Sequence, residues 1–174
     1  MKRALFLDRD GVVNIEINYL YKVEDFKFID GIFELCRYYQ NLGYMIFVVT
    51  NQSGIARGYY NEDDFYKLTL WMIEEFKKNT IEVKKVYFCP HHPDISSICN
   101  CRKPEPGMLL EAKEEFDIDL ENSILVGDKE SDIEAAISAG IKETYLFDEK
   151  KIYNKSKATK IVSKLEEIYS VNTK

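Results

Sequence analysis

Glycine and proline are scarce, with 8 and 4 among 174 residues, and neither gathers into a run. Without a Pro- or Gly-rich linker and without an internal repeat, a two-domain division has no support, and the chain reads as one domain over residues 1–174. No apolar run approaches the ~18 residues of a membrane span. Asp8 and Asp10 interrupt the only N-terminal hydrophobic stretch and leave no room for a signal peptide, so the expected location is the cytoplasm. A basic excess is missing as well. With 24 Lys and Arg against 30 Asp and Glu, the formal net charge is −6, whereas a phosphate backbone calls for a basic face. No nucleic-acid or membrane partner is expected. Disorder is excluded too, because 45% hydrophobic residues at this length can bury a substantial core.

What the sequence does contain is an alternation of short apolar runs with longer helical patterns, the signature of a mostly parallel sheet covered by helices. Five strands are predicted at Ala4 to Asp8, Tyr44 to Thr50, Lys85 to Phe88, Ser123 to Gly127 and Thr144 to Phe147. Helices are predicted at Gly31 to Leu42, Glu62 to Asn79, Gly107 to Phe116, Ser131 to Ala139 and Ala158 to Tyr169. Asn61 precedes three acids as an N-cap, and Gly43 and Gly140 follow helices as C-caps. The last helix would place Ile161, Val162, Leu165, Ile168 and Tyr169 on one face, packed against the sheet edge.

Ligands of parallel sheets bind outside the carboxyl ends of the strands, so the polar residues that end the apolar runs are the candidates. The first strand ends in Asp8-Arg9-Asp10-Gly11, the second in Thr50-Asn51-Gln52-Ser53-Gly54, and the fourth in Gly127-Asp128-Lys129, with Asp132 shortly after. Arg102-Lys103-Pro104 follows the third strand. Gly11 lets the chain curl so that Asp8 and Asp10 face one cavity. Acids so crowded call for a hard divalent cation, and Mg2+ suits Asp8, Asp128 and the backbone carbonyl of Asp10.

A second cluster holds both histidines and all but one of the four cysteines; Cys36 stands alone. Cys89-x-His91 is followed, after seven residues, by Cys99-x-Cys101. Three thiolates and one imidazole make a closed tetrahedral set for a structural Zn2+, with free thiols or a disulfide as the alternatives. His92 is left as a solvent-facing or rim residue. Arg102 and Lys103 follow the last ligand directly, so a metal here would fix the loop that carries both cations.

The four strand-end segments resemble, in order, the four motifs of the haloacid dehalogenase superfamily of phosphohydrolases, and the likeness spans essentially the whole chain. It implies a single Rossmann-like three-layer α/β sandwich with a minimal cap, and a zinc-binding loop after the third strand. It further implies that Asp8 attacks phosphorus, Asp10 is general acid and base, Thr50 and Lys103 neutralise phosphate oxygens, and Asp128 is the metal carboxylate. A receiver domain of two-component signalling gathers similar groups, but its phospho-accepting Asp ends the third strand, where this chain has Cys89-Pro90-His91. Between Asp10 and Gly31 lie about twenty residues, enough for a flap and too few for a folded lid.

Within the superfamily, TNQSGIARG, CPHH with the CxC pair, CRKPEPGM and VGDKESD are similar to the heptose bisphosphate phosphatases, which remove a 7-phosphate. Zinc-loop histidinol-phosphate phosphatases are the runner-up, although the Asp-Gly-Leu-Gly type segment they carry after TNQ is absent. Val12 stands where threonine is frequent, and the stretch from His91 to Cys99 is short. The resemblance maps substrate contacts to Arg9, Glu16 to Tyr19, Asn51, Gln52, Ser53, Arg102 and Lys129. Tyr19 has two readings, ligand contact and flap packing. Arg57 joins the cations beside the motifs, which suit a substrate with more than one anionic group, here a small sugar bisphosphate. The expected enzyme is a monomer. A zinc-stapled binding module on an inactive scaffold is the alternative of another class, and it would be expected to have lost Asp8, Asp10, Lys103 or Asp128.

Overall fold

The computed structural model describes residues 1–170. Strands β1 (Ala4–Leu7), β2 (Met45–Asn51), β3 (Val83–Cys89), β4 (Ile124–Gly127), β5 (Glu143–Phe147) and β6 (Lys160–Val162) form one sheet in the order β3-β2-β1-β4-β5-β6. All neighbours pair in parallel. Helices α1 (Ile32–Asn41), α2 (Ser53–Ala56), α3 (Glu62–Lys78), α4 (Gly107–Phe116), α5 (Glu130–Ala139) and α6 (Glu166–Tyr169) supply the other layers.

Alternation along the central strands divides the core in two. Leu5, Leu7, Ile46, Val48, Ile124 and Val126 pack with α1, α3 and α6 through residues such as Leu35, Leu68, Met72 and Ile168. Their neighbours Phe6, Phe47, Val49 and Leu125 face Met108, Leu109 and Ala112 of α4 and Ile133 and Ala136 of α5. A sheet covered on both faces needs apolar residues at every position, which is why the runs read as continuous. α3 opens with a capping box, in which the Asn61 side chain accepts from the Asp64 amide while Asp64 accepts from that of Asn61. The three-layer α/β architecture thus matches the expected one, and the cysteine-rich loop does follow β3.

The end of the chain differs from expectation. Ala158 to Tyr169 is not one helix: Lys160–Val162 is a sixth strand, and only Glu166–Tyr169 is helical. The edge of β5 offers unpaired backbone groups that a strand can satisfy. Thr144 and Thr159 accept each other's backbone N–H at 3.0 and 3.2 Å and set the register. Val162, Leu165 and Ile168 are buried as predicted, so the same spacing serves a strand followed by a turn of helix.

The sheet order reverses between β1 and β4, and a crevice at such a switch point lies outside the strand ends. Asp8 and Asp128 follow these two strands directly. Among the described residues, no helix is long and apolar enough to cross a membrane.

Candidate active site and metal centres

A cavity of about 510 Å³ opens above the switch point, lined at its floor by Asp8, Asp10, Thr50, Lys103 and Asp132 and at its mouth by Glu16, Tyr19, Ser53, Arg102 and Lys129. Lys103 is buried. Its ammonium donates to Asp8 Oδ1 at 2.7 Å and to the Val49 carbonyl at 2.9 Å, and lies 2.6 Å from Asp132 Oδ1. Burial alone would depress this lysine, but Asp132 and Asp8 outweigh it and hold it above the ordinary value, so it stays cationic.

The acids are pushed up as well, which for them favours the neutral form. Burial, then the neighbouring Asp132, push Asp8 up to about 6, with Lys103 working against them. Burial and Asp8 push Asp128 up to about 10. Asp128 Oδ1 is buried without a hydrogen-bond partner. One oxygen from each of Asp8, Asp128 and Asp132 lies within 4.8 Å of the others. An orphaned buried carboxylate oxygen beside two further carboxylates is what a hard cation with oxygen ligands requires, so the residues fit Mg2+. Gly11 makes room for this. Its φ is 97°, and a Cβ there would sit 2.2 Å from Asp128 Oδ2, so both conformation and space demand glycine.

Asp10 is held differently. Its Oδ1 accepts from Arg9 Nη2 at 3.0 Å and Asn14 Nδ2 at 3.1 Å, and its Oδ2 accepts from Gln52 Nε2 at 3.1 Å. Its side chain is outside the carboxylate cluster. The third acid of that cluster is Asp132, which sequence reasoning noted without giving it a role. Asp132 Oδ2 accepts from the Asp128 and Lys129 amides at 3.1 and 3.0 Å while Oδ1 holds Lys103, so it ties the β4 loop to the lysine. Its signal was position: an acid in the first turn of a helix can cap the amides of the preceding loop.

Several expected substrate contacts serve as braces. Arg9 is 1% exposed, its guanidinium spent on Asp10 and on the Leu20 carbonyl, and it does not line the cavity. The Asn51 amide grips the Lys103 backbone at both ends, donating to its carbonyl at 3.1 Å and accepting from its N–H at 3.0 Å. Gln52 is buried, bonded to Asp10, Thr50 and Tyr60. Arg57 and His92 both lie outside the cavity lining, with the Arg57 guanidinium 5.9 Å over the Tyr19 ring and its Nη2 3.2 Å from His92 Nε2. Tyr19 both lines the cavity and packs on Tyr59. Glu16 faces Lys129 across the mouth at 3.2 Å.

In the loop after β3, one donor atom from each of Cys89, His91, Cys99 and Cys101 falls within 4.8 Å of the rest. The Sγ of Cys89 is 3.5 Å from that of Cys99, and His91 Nδ1 is 3.4 Å from Cys101 Sγ. Tetrahedral bonds of about 2.0 to 2.3 Å separate ligands by distances of this order, with Cys89 Sγ and Cys101 Sγ lying closer at 2.7 Å, and the donor set of three thiols and an imidazole fits Zn2+. Burial would raise Cys99, yet the Arg102 N–H and neighbouring thiols bring it down to about 6, while burial pushes Cys89 and Cys101 up.

A lysine reaching from behind β3 to grip the acid that ends β1, with further acids waiting after β4, is the arrangement of a phosphohydrolase of the haloacid dehalogenase type. A family model described as HAD-hydrolase-like matches residues 100–167. The D-glycero-alpha-D-manno-heptose-1,7-bisphosphate 7-phosphatase of Campylobacter jejuni is 56% identical over 149 residues, covering 86% of this chain and 84% of that one. Its beta-anomer counterpart from Haemophilus influenzae is 46% identical over 150 residues, covering 84% and 82%. In structure, the D,D-heptose 1,7-bisphosphate phosphatase of B. bronchiseptica, complexed with magnesium and phosphate, superposes with a TM-score of 0.84 at 27% identity, over 97% of this chain and 99% of that one. The chain belongs to this HAD-like family of heptose-bisphosphate phosphatases.

Proposed function

We propose that this protein is a phosphatase that removes the C7 phosphate of D-glycero-D-manno-heptose 1,7-bisphosphate through an aspartyl phosphate on Asp8. The observation that carries the reading is the grip of Lys103 on one Asp8 oxygen within a cluster of carboxylates, joined to relatives that bear this activity in their names. Mg2+ held by Asp8, Asp128 and the Asp10 carbonyl would neutralise phosphate charge and align the reacting oxygens. Lys103 fixes the Asp8 carboxylate and leaves its second oxygen for phosphorus. As the Asp8–phosphorus bond forms, the bond to the C7 oxygen breaks, and Asp10 gives its proton to that oxygen. Asp10, now a carboxylate, takes a proton from water, whose oxygen attacks phosphorus and frees Asp8.

Thr50 is poised to help. Its Oγ1 accepts from Gln52 at 2.9 Å, and the nearest acceptor for its own proton, the Asn51 carbonyl, is 3.5 Å away, too far for a good bond, so the hydroxyl proton is free for a phosphate oxygen. Glu16, Tyr19, Ser53, Arg102 and Lys129 are the residues we assign to the sugar and its distal phosphate. Zn2+ on Cys89, His91, Cys99 and Cys101 would hold the loop bearing Arg102 and Lys103. We read the chain as one domain over 1–174, of which 171–174 lie outside the described residues, acting as a monomer in the cytoplasm. Phosphate release from a panel of both heptose bisphosphate anomers, fructose bisphosphate and histidinol phosphate tests this. Preference for a heptose bisphosphate is expected, and preference for histidinol phosphate would overturn the reading.

A further inference from the structure

We propose that Tyr60 is a positioning residue that fixes the Gln52 amide and thereby aims the protons of Asp10 and Thr50 at the substrate. This inference rests on the phosphatase reading above. Gln52 is buried in the cavity wall, and each end of its amide has a protein partner. The Tyr60 hydroxyl donates to Oε1. Nε2 then spends its two hydrogens on Asp10 Oδ2 at 3.1 Å and Thr50 Oγ1 at 2.9 Å.

The consequence lies in what this orientation forbids. Asp10 Oδ1 already accepts from Arg9 and Asn14, so the transferable proton belongs on Oδ2, the oxygen that Gln52 orients. An amide turned the other way would set Oε1 against Asp10 Oδ2. Protonated Asp10 would then donate to glutamine instead of to the leaving oxygen, and the Thr50 hydroxyl would do the same. With Oε1 occupied by Tyr60, the amide offers both residues only donors. Tyr60 is itself clamped: its ring stacks on Tyr21 with centroids 5.4 Å apart and planes 13° apart. On another side Gly54 lies so close that a Cβ there would be 2.2 Å from a Tyr60 ring carbon.

The test uses leaving groups. An alkoxide departing from C7 needs a proton, whereas p-nitrophenolate departs without much help, so loss of Tyr60 control should separate the two substrates. In Tyr60→Phe, which keeps the ring, kcat/KM for heptose 1,7-bisphosphate is expected to fall roughly tenfold and that for p-nitrophenyl phosphate by less than about threefold. Adding Tyr60→Phe to Gln52→Leu should cost nothing further, because the hydroxyl acts only through the amide. Equal losses on both substrates with a lowered melting temperature would assign Tyr60 a merely structural part and overturn the proposal. Unchanged heptose turnover, or losses that multiply in the double variant, would overturn it as well. Asp8→Asn assayed alongside separates the two levels. If it is inactive while Tyr60→Phe behaves as wild type, only the Tyr60 role fails; if Asp8→Asn turns over normally, the phosphatase reading falls and takes the Tyr60 role with it.

Discussion

Asp8 and Asp10 stand two positions apart and are held by different means, which predicts different consequences when each is replaced. Asp8→Asn removes the proposed nucleophile and a metal ligand together, and turnover should vanish while circular dichroism stays native. Asp10→Asn keeps the cluster of Asp8, Asp128 and Asp132 and should lower kcat by about 10²- to 10⁴-fold, the worth of a positioned general acid. Titration adds a second expectation. With Asp8 raised from 3.8 to about 6 and Asp128 raised to about 10, the metal-free folded protein holds protons that the unfolded chain has released. Stability from these groups is therefore complete below their unfolded values and is lost as pH rises, through about 6 for Asp8 and on toward about 10 for Asp128. In EDTA, the wild-type melting temperature should fall between pH 5 and 8, and Asp8→Asn should flatten that decline. Magnesium, which binds the deprotonated cluster, should raise the melting temperature more at pH 8 than at pH 5. A wild-type decline that Asp8→Asn leaves unaltered would remove Asp8 from this account.

At the level of elements, the site is legible in sequence wherever a strand end is followed by its polar residues, since the period of the apolar runs fixes where each strand stops. Asp8, Thr50 and Asp128 fall where that pattern puts them. Arg9 sits in the first motif but turns inward to hold Asp10 and does not line the cavity, whereas Asn51 and Gln52 line it while also bracing Lys103, Asp10 and Thr50; no spacing rule reports which way a loop side chain points. β6 was hidden because Val162, Leu165 and Ile168 satisfy a helical period as well as a strand followed by a turn. The loop after β3 was readable because four soft ligands in two close pairs have few other uses. Its geometry supports a direct check. About one equivalent of tightly held zinc is expected by elemental analysis, and Cys99→Ser should release it, raise amide exchange over residues 99–104, and lower activity. The path is short, because Arg102 Nη1 donates to the His91 carbonyl at 3.3 Å and the Lys103 backbone is held by Asn51. Full activity in a zinc-free protein would show that Asn51 suffices to place Lys103.

For the molecule as a whole, a net charge of −6 sets the far field, yet Arg102, Lys103 and Lys129 converge on the cavity above Asp8. Lys103 is committed to Asp8 and Asp132, and Lys129 is paired with Glu16, so Arg102 is the least compensated of these three cations. With one phosphate at Asp8, a sugar would extend across this uncapped opening and bring its second phosphate toward Arg102. Hydrogen bonds to charged groups are worth about 1.5 to 3 kcal/mol, so Arg102→Ala should lower kcat/KM for the heptose bisphosphate about ten- to a hundredfold. A small monophosphate, which ends before the rim, should lose much less. Histidinol phosphate presents an ammonium to the same cation and should be a poor substrate in the wild type, improving relative to the bisphosphate in Arg102→Ala. Salt provides an independent reading. Screening over a Debye length of about 10 Å at 0.1 M weakens a rim contact more than the buried floor, so raising ionic strength should depress the bisphosphate more than the monophosphate, and Arg102→Ala should erase most of that difference. Equal salt sensitivity of the two substrates, unchanged by the substitution, would mean that the distal phosphate is bound elsewhere.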